Sequence, residues 1–304
     1  MGSYDLIKPL VIGISSRALF NLEEENHIYE HQGVKAYADY QIQHENDVLQ
    51  PGAAFQLVKS LLNLNTSDKR RVEVIIMSRN SPDTSLRIFN SAKHYGLDIS
   101  RAALTGGTSL APYLKAFHTD LFLSAMPEDV KAAVDNGIAA AQIITGHTYA
   151  DQTIDQIRIA FDGDAVLFSA ESEKIYKSKG MPAFMENEKN KADIPLPEGP
   201  FANFFKAIAH IQEEYKSREA APIRTALVTS RNAPAHERPI KTFRTWNVRI
   251  DEAFFLGGVE KREVLAAFSP HIFFDDQRIH TDPASEVSAA AVVPYRTGDN
   301  PEES

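Results

Sequence analysis

Two apolar stretches in the second half of this chain end in acids. Ile157-Arg158-Ile159-Ala160-Phe161 runs into Asp162-Gly163-Asp164-Ala165-Val166, and His271-Ile272-Phe273-Phe274 runs into Asp275-Asp276. A strand ending in Asp-x-Asp places two carboxylates on the loop at its C-terminal edge, with the residue between them pointing away. One carboxylate can then attack while the other donates and accepts protons, the division of labour that covalent catalysis at phosphorus needs. A third apolar strand, Ala226-Leu227-Val228, ends in Thr229, and Lys261 lies fourteen residues ahead of Asp275, near the start of a helix. His118, His271 and His280 have no partners at metal-ligand spacing and read as structural or surface histidines.

Such residues need strand ends to hold them, and the strand rhythm appears twice. The halves of the 304-residue chain can be laid over one another at an offset of about 150 residues. VIGISSRALF (11–20) parallels IRIAFDGDAVLF (157–168), and PGAAFQLVKSLL (51–62) parallels EGPFANFFKAIA (198–209), pairing Gly52 with Gly199. VIIMSRNSP (74–82) parallels ALVTSRNAP (226–234), and LDISRAALTGG (97–107) parallels VRIDEAFFLGG (248–258). Each half reads as a strand, an irregular insert, and then helices alternating with strands. The fold expected is α/β: two tandem Rossmann-like modules, each a three-layer α/β/α arrangement with a parallel sheet. The modules span 1–150 and 151–296, and 297–304 form a flexible tail. The inserts, 21–50 and the small 170–197, emerge at strand ends, where open α/β sheets bind ligands.

The 41 acidic and 32 basic residues give a formal net charge of -9. That field repels nucleic acid and anionic membrane surfaces, so an acidic protein that handles phosphates needs a local device such as a metal ion or helix N-termini. With no cysteine there are no disulfides, thiolate nucleophiles or Cys-ligated metals, which fits a reducing compartment. No apolar run approaches the roughly 18 to 20 residues of a membrane span, and the N-terminus carries no signal peptide. A cytoplasmic protein is expected.

Taken in order, the DxD loop, Thr229, Lys261 and the acidic pair resemble the four motifs of the haloacid dehalogenase superfamily. DGDAVLFSAESEKIYKSKG, TSRNAP, FFLGG, PHIFFDDQ and the early SSRALF and TGG stretches together resemble the cytosolic 5'-nucleotidase I family along nearly the whole chain. The resemblance implies a Mg²⁺-dependent enzyme that hydrolyses nucleoside 5'-monophosphates to nucleoside and phosphate. By that likeness Asp162 is the nucleophile that forms an aspartyl-phosphate, and Asp164 is the acid for the departing ribose oxygen and then the base for water. Thr229 hydrogen-bonds the transferring phosphoryl group, and Lys261 neutralises its charge and pairs with the nucleophile. Mg²⁺ is held by Asp162, Asp164 through its backbone carbonyl, and one or both of Asp275 and Asp276. Lys241 is a rival for the lysine role, early in the helix after Thr229. Ser230, Arg231 and Asn232 either touch phosphate or ribose or form a helix-entry turn in which Asn caps and Pro234 opens the helix. Phe168, Phe201, Phe204 and Phe205 are candidates for base stacking, against a reading as core at helical spacing.

The first module is degenerate. Aligning Phe20 with Phe168 puts Ile14 and Ser16 opposite Asp162 and Asp164, while Ser124 and Ala125 replace the acidic pair and Leu110 replaces Lys261. Its loops carry Ser16, Arg17, Ser78, Arg79, Asn80, Gly106, Gly107 and Thr108. They are expected either to keep a metal-free site for a nucleotide effector or to be scaffold, with Arg17 and Arg79 pairing acids at an interface between the halves. The competing functions are a phosphatase or phosphotransferase for another small phosphate ester, and a nucleotide-binding sensor. A homo-oligomer is left open.

Overall fold

Residues 5–6, 9–147, 156–217 and 219–300 are described by the structure, a computed structural model of the chain. Two compact units emerge, Met1–Ile138 with Gln142–Gln152, and Ala139–Ala141 with Thr153–Ser304. The boundary expected between 150 and 151, and residues 301–304 of the expected tail, lie outside the described residues.

The first unit runs β1 (Leu10–Ile14), the single turn α1 (Ser16–Leu19), α2 (Glu23–Gln43), α3 (Phe55–Leu62), β2 (Val72–Ser78), α4 (Leu86–His94), β3 (Arg101–Leu104), α5 (Ala111–Ala116), β4 (Leu121–Ser124) and α6 (Pro127–Asp135). β5 (Ala139–Ile143) is split by the division between the units. The second unit runs β6 (Ile157–Phe161), α7 (Glu171–Asn190), α8 (Ala202–Glu213), β7 (Ile223–Thr229), α9 (Glu237–Thr245), β8 (Glu252–Phe255), α10 (Lys261–Phe268), β9 (Ile272–Asp275), α11 (Arg278–Ala284) and β10 (Ala290–Val292). Strands pair in parallel in the order β3-β2-β1-β4 in the first unit and β10-β9-β6-β7-β8 in the second. Every residue of β1, β2, β4 and β9 is buried, as parallel strands covered on both faces must be. This is the mixed α/β fold, rich in parallel strands, that the sequence predicts.

The inserts, expected to be irregular, are helical. α2 and α7 each bend where a glycine takes a left-handed conformation, Gly33 at φ 83° and Gly180 at φ 78°, so each is a pair of arms. Polar residues on most faces leave no 3.6-residue stripe to announce them.

Strand register shows where the repeat was misaligned. Ile14 pairs with Ile76 and Leu123 as Phe161 pairs with Leu227 and Phe274. Ser15, rather than Ile14, therefore takes the place of Asp162, and its N–H donates to Leu123 O at 2.9 Å as that of Asp162 donates to Phe274 O at 2.8 Å. The second unit has one more residue between strand end and Phe168 than the first has before Phe20, so counting back from the phenylalanines errs by one. The two SRN tripeptides are offset in the same way: Ser78 matches Thr229 and Asn80 matches Arg231. Gly106 N–H bonds Asn80 O and Gly257 N–H bonds Arg231 O, at 3.2 and 3.3 Å.

Phe161, Phe168, Phe201, Phe204, Phe205 and Phe274 are at most 1% exposed. Each contributes roughly 2 kcal/mol by burial, and Phe161 stacks on Phe274 with centroids 5.5 Å apart. The base-stacking reading of Phe168, Phe201, Phe204 and Phe205 is thereby corrected: all four are core.

Candidate active site

At the end of β6 the backbone opens into a wide turn. Phe168 N–H reaches back to Gly163 O at 2.8 Å, and Ala165 sits at φ 61°. A left-handed non-glycine residue costs on the order of 1 kcal/mol or more, so its surroundings must enforce it. Gly199 N–H donates to Leu167 O and Phe201 N–H to Val166 O, at 2.9 and 3.0 Å, which pins the turn from behind. Asp162 and Asp164 both reach a cleft of about 360 Å³ that Thr229, Ser230, Arg231, Asn232 and Lys261 also line.

Lys261, the first residue of α10, is 2% exposed. Its ammonium donates to Asp162 Oδ1 at 2.5 Å and to Asp275 Oδ2 at 2.6 Å, while Asp275 Oδ1 accepts Gln277 N–H at 2.9 Å. One ammonium shared by two buried carboxylates leaves a surplus of negative charge. Burial works against a charged Lys261, yet Asp162 and Asp275 hold it protonated, above its ordinary range. Burial pushes Asp162 up to about 7 against the pull of Lys261, with Asp275 and Asp164 adding to the rise. Asp276 is held well above the carboxylate range, first by burial and then by Asp275, Glu173 and Asp162. The Tyr295 hydroxyl contacts Asp276 and, at 2.8 Å, Glu173.

Asp164 is turned to Arg231, whose Nε and Nη2 donate to its two oxygens, both at 2.7 Å. The far edge of the same guanidinium is bonded to Glu188 of α7. Thr229 Oγ1 accepts Arg231 N–H at 3.3 Å, which turns the hydroxyl toward the loop.

Among the described residues no three His, Asp or Glu side chains converge as a ready-made ligand set. The donors nevertheless fit a hard cation. They are all oxygens, and the upward shift of Asp162 and Asp276 records negative charge that Lys261 alone does not offset.

The chain as a whole matches a known family. The family model for 5'-nucleotidase covers residues 2–300. The chain belongs to the 5'-nucleotidase family. It is 39% identical over 293 residues to human cytosolic 5'-nucleotidase 1B, covering 93% of this chain and 48% of that one, so it spans about half the length of the curated relative it matches. Histidinol dehydrogenase from Elizabethkingia anophelis aligns at 9% identity with a TM-score of 0.23, over 95% of this chain and 57% of that chain, too weak a likeness to carry an argument.

Lys241 does not line this cleft: it is half-buried and paired with Asp193 and Glu237. The helix expected to open at Pro234 begins at Glu237, and Asn232 stays on the cleft wall against Gly257. His271 is structural, its Nδ1 accepting Arg158 N–H at 3.1 Å, and His280, read with it as structural or surface, lines the cleft. Sequence patterns missed the opposite wall, where α7 supplies Tyr176, Met181, Phe184 and Met185. They also missed Glu188 and Tyr295, which carry no periodic or motif signal.

In the first unit, Ser16 Oγ lies 3.4 Å from Ser78 Oγ, and Ser124 Oγ accepts Met126 N–H at 3.1 Å, as Asp275 accepts that of Gln277. Arg17 binds Glu23 through two hydrogen bonds at 3.0 and 2.8 Å, and Arg79 pairs with Asp129. Both arginines thus meet acids of their own unit. Gly106, Gly107 and Thr108 form the exposed turn after β3, Gly107 N–H bonding Arg79 O at 2.8 Å.

Proposed function

We propose that the second unit is a Mg²⁺-dependent phosphohydrolase that converts nucleoside 5'-monophosphates to nucleoside and inorganic phosphate through an aspartyl-phosphate. The observation that carries this reading is the Lys261 ammonium held between Asp162 and Asp275, beside a second acid on the same loop. Asp162 attacks phosphorus, forming a carboxyl–phosphate bond as the bond to the ribose 5'-oxygen breaks, and Asp164 delivers a proton to that oxygen. Asp164 then takes a proton from water, which opens the acyl phosphate and returns Asp162. Thr229 and the backbone of Ser230 to Asn232 receive the phosphoryl oxygens, and Lys261 offsets their charge. Asp162, the Asp164 carbonyl and Asp276 would hold Mg²⁺, with Asp275 behind them. The cation, when bound, screens the buried carboxylates from the phosphate and polarises its oxygens. Tyr176, Met181, Phe184 and Met185 offer an apolar, partly aromatic wall suited to a nucleobase. The human relative's name places that protein in the cytosol, and the same location is proposed here. The first unit, whose two loop arginines already meet acids, is proposed as scaffold in place of an effector site.

A phosphate-release panel of AMP, IMP, dCMP and sugar phosphates, run with wild type and Asp162→Asn, tests the reading. Release from the nucleotides that Asp162→Asn abolishes is expected. Release from sugar phosphates alone points to another phosphatase, and tight nucleotide binding without release points to a sensor.

A further inference from the structure

Glu188 is fully buried on the second arm of α7, and no step of the proposed reaction touches it. An internal carboxylate is costly unless well partnered, and this one is surrounded. Its Oε2 accepts from Arg231 Nη1; its Oε1 accepts from Arg238 Nη1 at 2.9 Å, Ser172 Oγ at 2.9 Å and Asn187 Nδ2 at 3.0 Å. Burial works against the charged carboxylate, yet Arg231 above all, then Ser172 and Arg238, hold it below the usual range. Ser172 precedes the bend at Gly180 and Glu188 follows it, so one carboxylate gathers both arms of α7 and hands them to the guanidinium that grips Asp164.

That guanidinium has little freedom. Glu188 and Ala235 O engage Nη1, the Phe184 ring lies 5.3 Å beneath, and the remaining edge is the fork on Asp164. The first unit shows what the same link looks like where there is no acid to aim. Asn80, in the place of Arg231, donates to Tyr37 OH at 2.9 Å on the second arm of α2. Tying a helix arm to this loop needs no charge, and the buried ion pair occurs in the unit that also has Asp164.

We propose that Glu188 is a positioning residue for the acid Asp164, acting through Arg231, and that it couples the acid's aim to the seating of the α7 arms over the cleft. This rests on the reading of Asp164 as the group that protonates the leaving oxygen. A departing ribose alkoxide needs that proton, whereas p-nitrophenolate leaves without it. Loss of aim should therefore penalise a nucleotide far more than an aryl phosphate.

The test compares kcat and KM on AMP and on p-nitrophenyl phosphate for wild type, Glu188→Asp and Arg238→Gln. Glu188→Asp keeps the charge and withdraws it by one methylene. It is expected to lower kcat on AMP about tenfold or more, since displacements near 1 Å cost on the order of 100-fold, with KM and the aryl reaction each changed less than about threefold. Arg238→Gln removes a partner of Oε1 while sparing the bond to Arg231, and is expected to lower the melting temperature with the ratio between the two esters unchanged. If Glu188→Asp does not fold, Arg231→Lys reads the link from its other end, with the same ratio shift expected. Equal losses on both esters, or a ratio shift in Arg238→Gln as large as that in Glu188→Asp, overturn the proposal. A wild type that hydrolyses neither ester overturns the assigned reaction and this inference with it.

Discussion

Gly199 stands behind the turn that carries Asp162 and Asp164, and on the proposed function replacing it with alanine should damage chemistry and stability together. A Cβ built there would lie 2.3 Å from Phe168 O and 2.5 Å from Val166 O, whereas real Cβ contacts essentially never fall below 3.0 Å. The obstacles are backbone carbonyls, which cannot turn aside as the end of a flexible side chain can. Relief therefore requires the 166–168 backbone to retreat by at least about 0.7 Å, an overpacking whose cost is roughly 1–3 kcal/mol or more. The same backbone carries the left-handed Ala165 and sets the line from Asp162 to Asp164, so the retreat moves both acids. Displacements of that size cost on the order of 10- to 100-fold in turnover. A fall of several degrees in thermal midpoint, with kcat reduced at least about tenfold in a phosphate-release assay, is expected for Gly199→Ala. An unchanged midpoint with kcat within threefold of wild type would refute the view that this close approach shapes the site. Gly52→Ala makes a paired control, since its Cβ would lie 2.8 Å from the Phe20 carbonyl carbon in the unit without the acids; it should cost stability and leave kcat alone.

Lys261→Met leaves Asp162 and Asp275 buried without their shared cation, and breaking a buried pair from one side costs about 3–5 kcal/mol. Calorimetry and turnover should both report it, and a variant with wild-type midpoint would remove Lys261 from the centre of the site. The pH dependence of the metal-free protein follows from Asp162, raised by burial from 3.8 to about 7. Across that window the folded state binds more protons than the unfolded state. Its contribution to stability is therefore present below the window and lost as pH rises through about 7. In EDTA the thermal midpoint should fall between pH 5 and pH 8, and Mg²⁺ should restore it most at pH 8, where Asp162 is ionised. A midpoint in EDTA that rises toward pH 8 would contradict this.

The candidate carboxylates were legible because chemistry and secondary structure coincide in them: an apolar run ends in Asp162 or Asp275, and strand ends are where parallel sheets present side chains. Lys261 was legible by spacing to Asp275 and by its helix start. The register of the repeat was legible only in part: the extra residue in the wide turn at Ala165 misplaces Ile14 by one, and the similar SRN tripeptides invite an overlay one residue off, whereas the match of Ser124 and Ala125 with the acidic pair agrees with the strand register. Nor were the α7 contributions. Glu188, Tyr176 and Phe184 belong to a bent helix whose arms are short and polar on most sides, and their meaning comes from tertiary contact with Arg231 and the cleft. Tyr295, twenty residues beyond Asp275, becomes informative only when its hydroxyl is found between Asp276 and Glu173.

The cations of this acidic chain do not by themselves account for how it would receive an anion. Lys261, Arg231 and Arg238, the strongest positive charges at the site, are each at most 4% exposed and already bound by carboxylates. They keep the acids in place and cannot by themselves cancel them: even with Lys177, which pairs with Glu173 at 3.1 Å, four cations face the six acids Asp162, Asp164, Glu173, Glu188, Asp275 and Asp276. A phosphate dianion entering the cleft would meet net negative charge in a low-dielectric setting, where repulsion at contact distance amounts to several kcal/mol. A hard cation would relieve this, because it would add charge at the two carboxylates, Asp162 and Asp276, that burial and their acidic neighbours push upward. The first unit meets no such difficulty. Ser15, Ser124 and Ala125 stand where the second unit has Asp162, Asp275 and Asp276, and its loop arginines pair with Glu23 and Asp129, so those three carboxylates have no counterpart there.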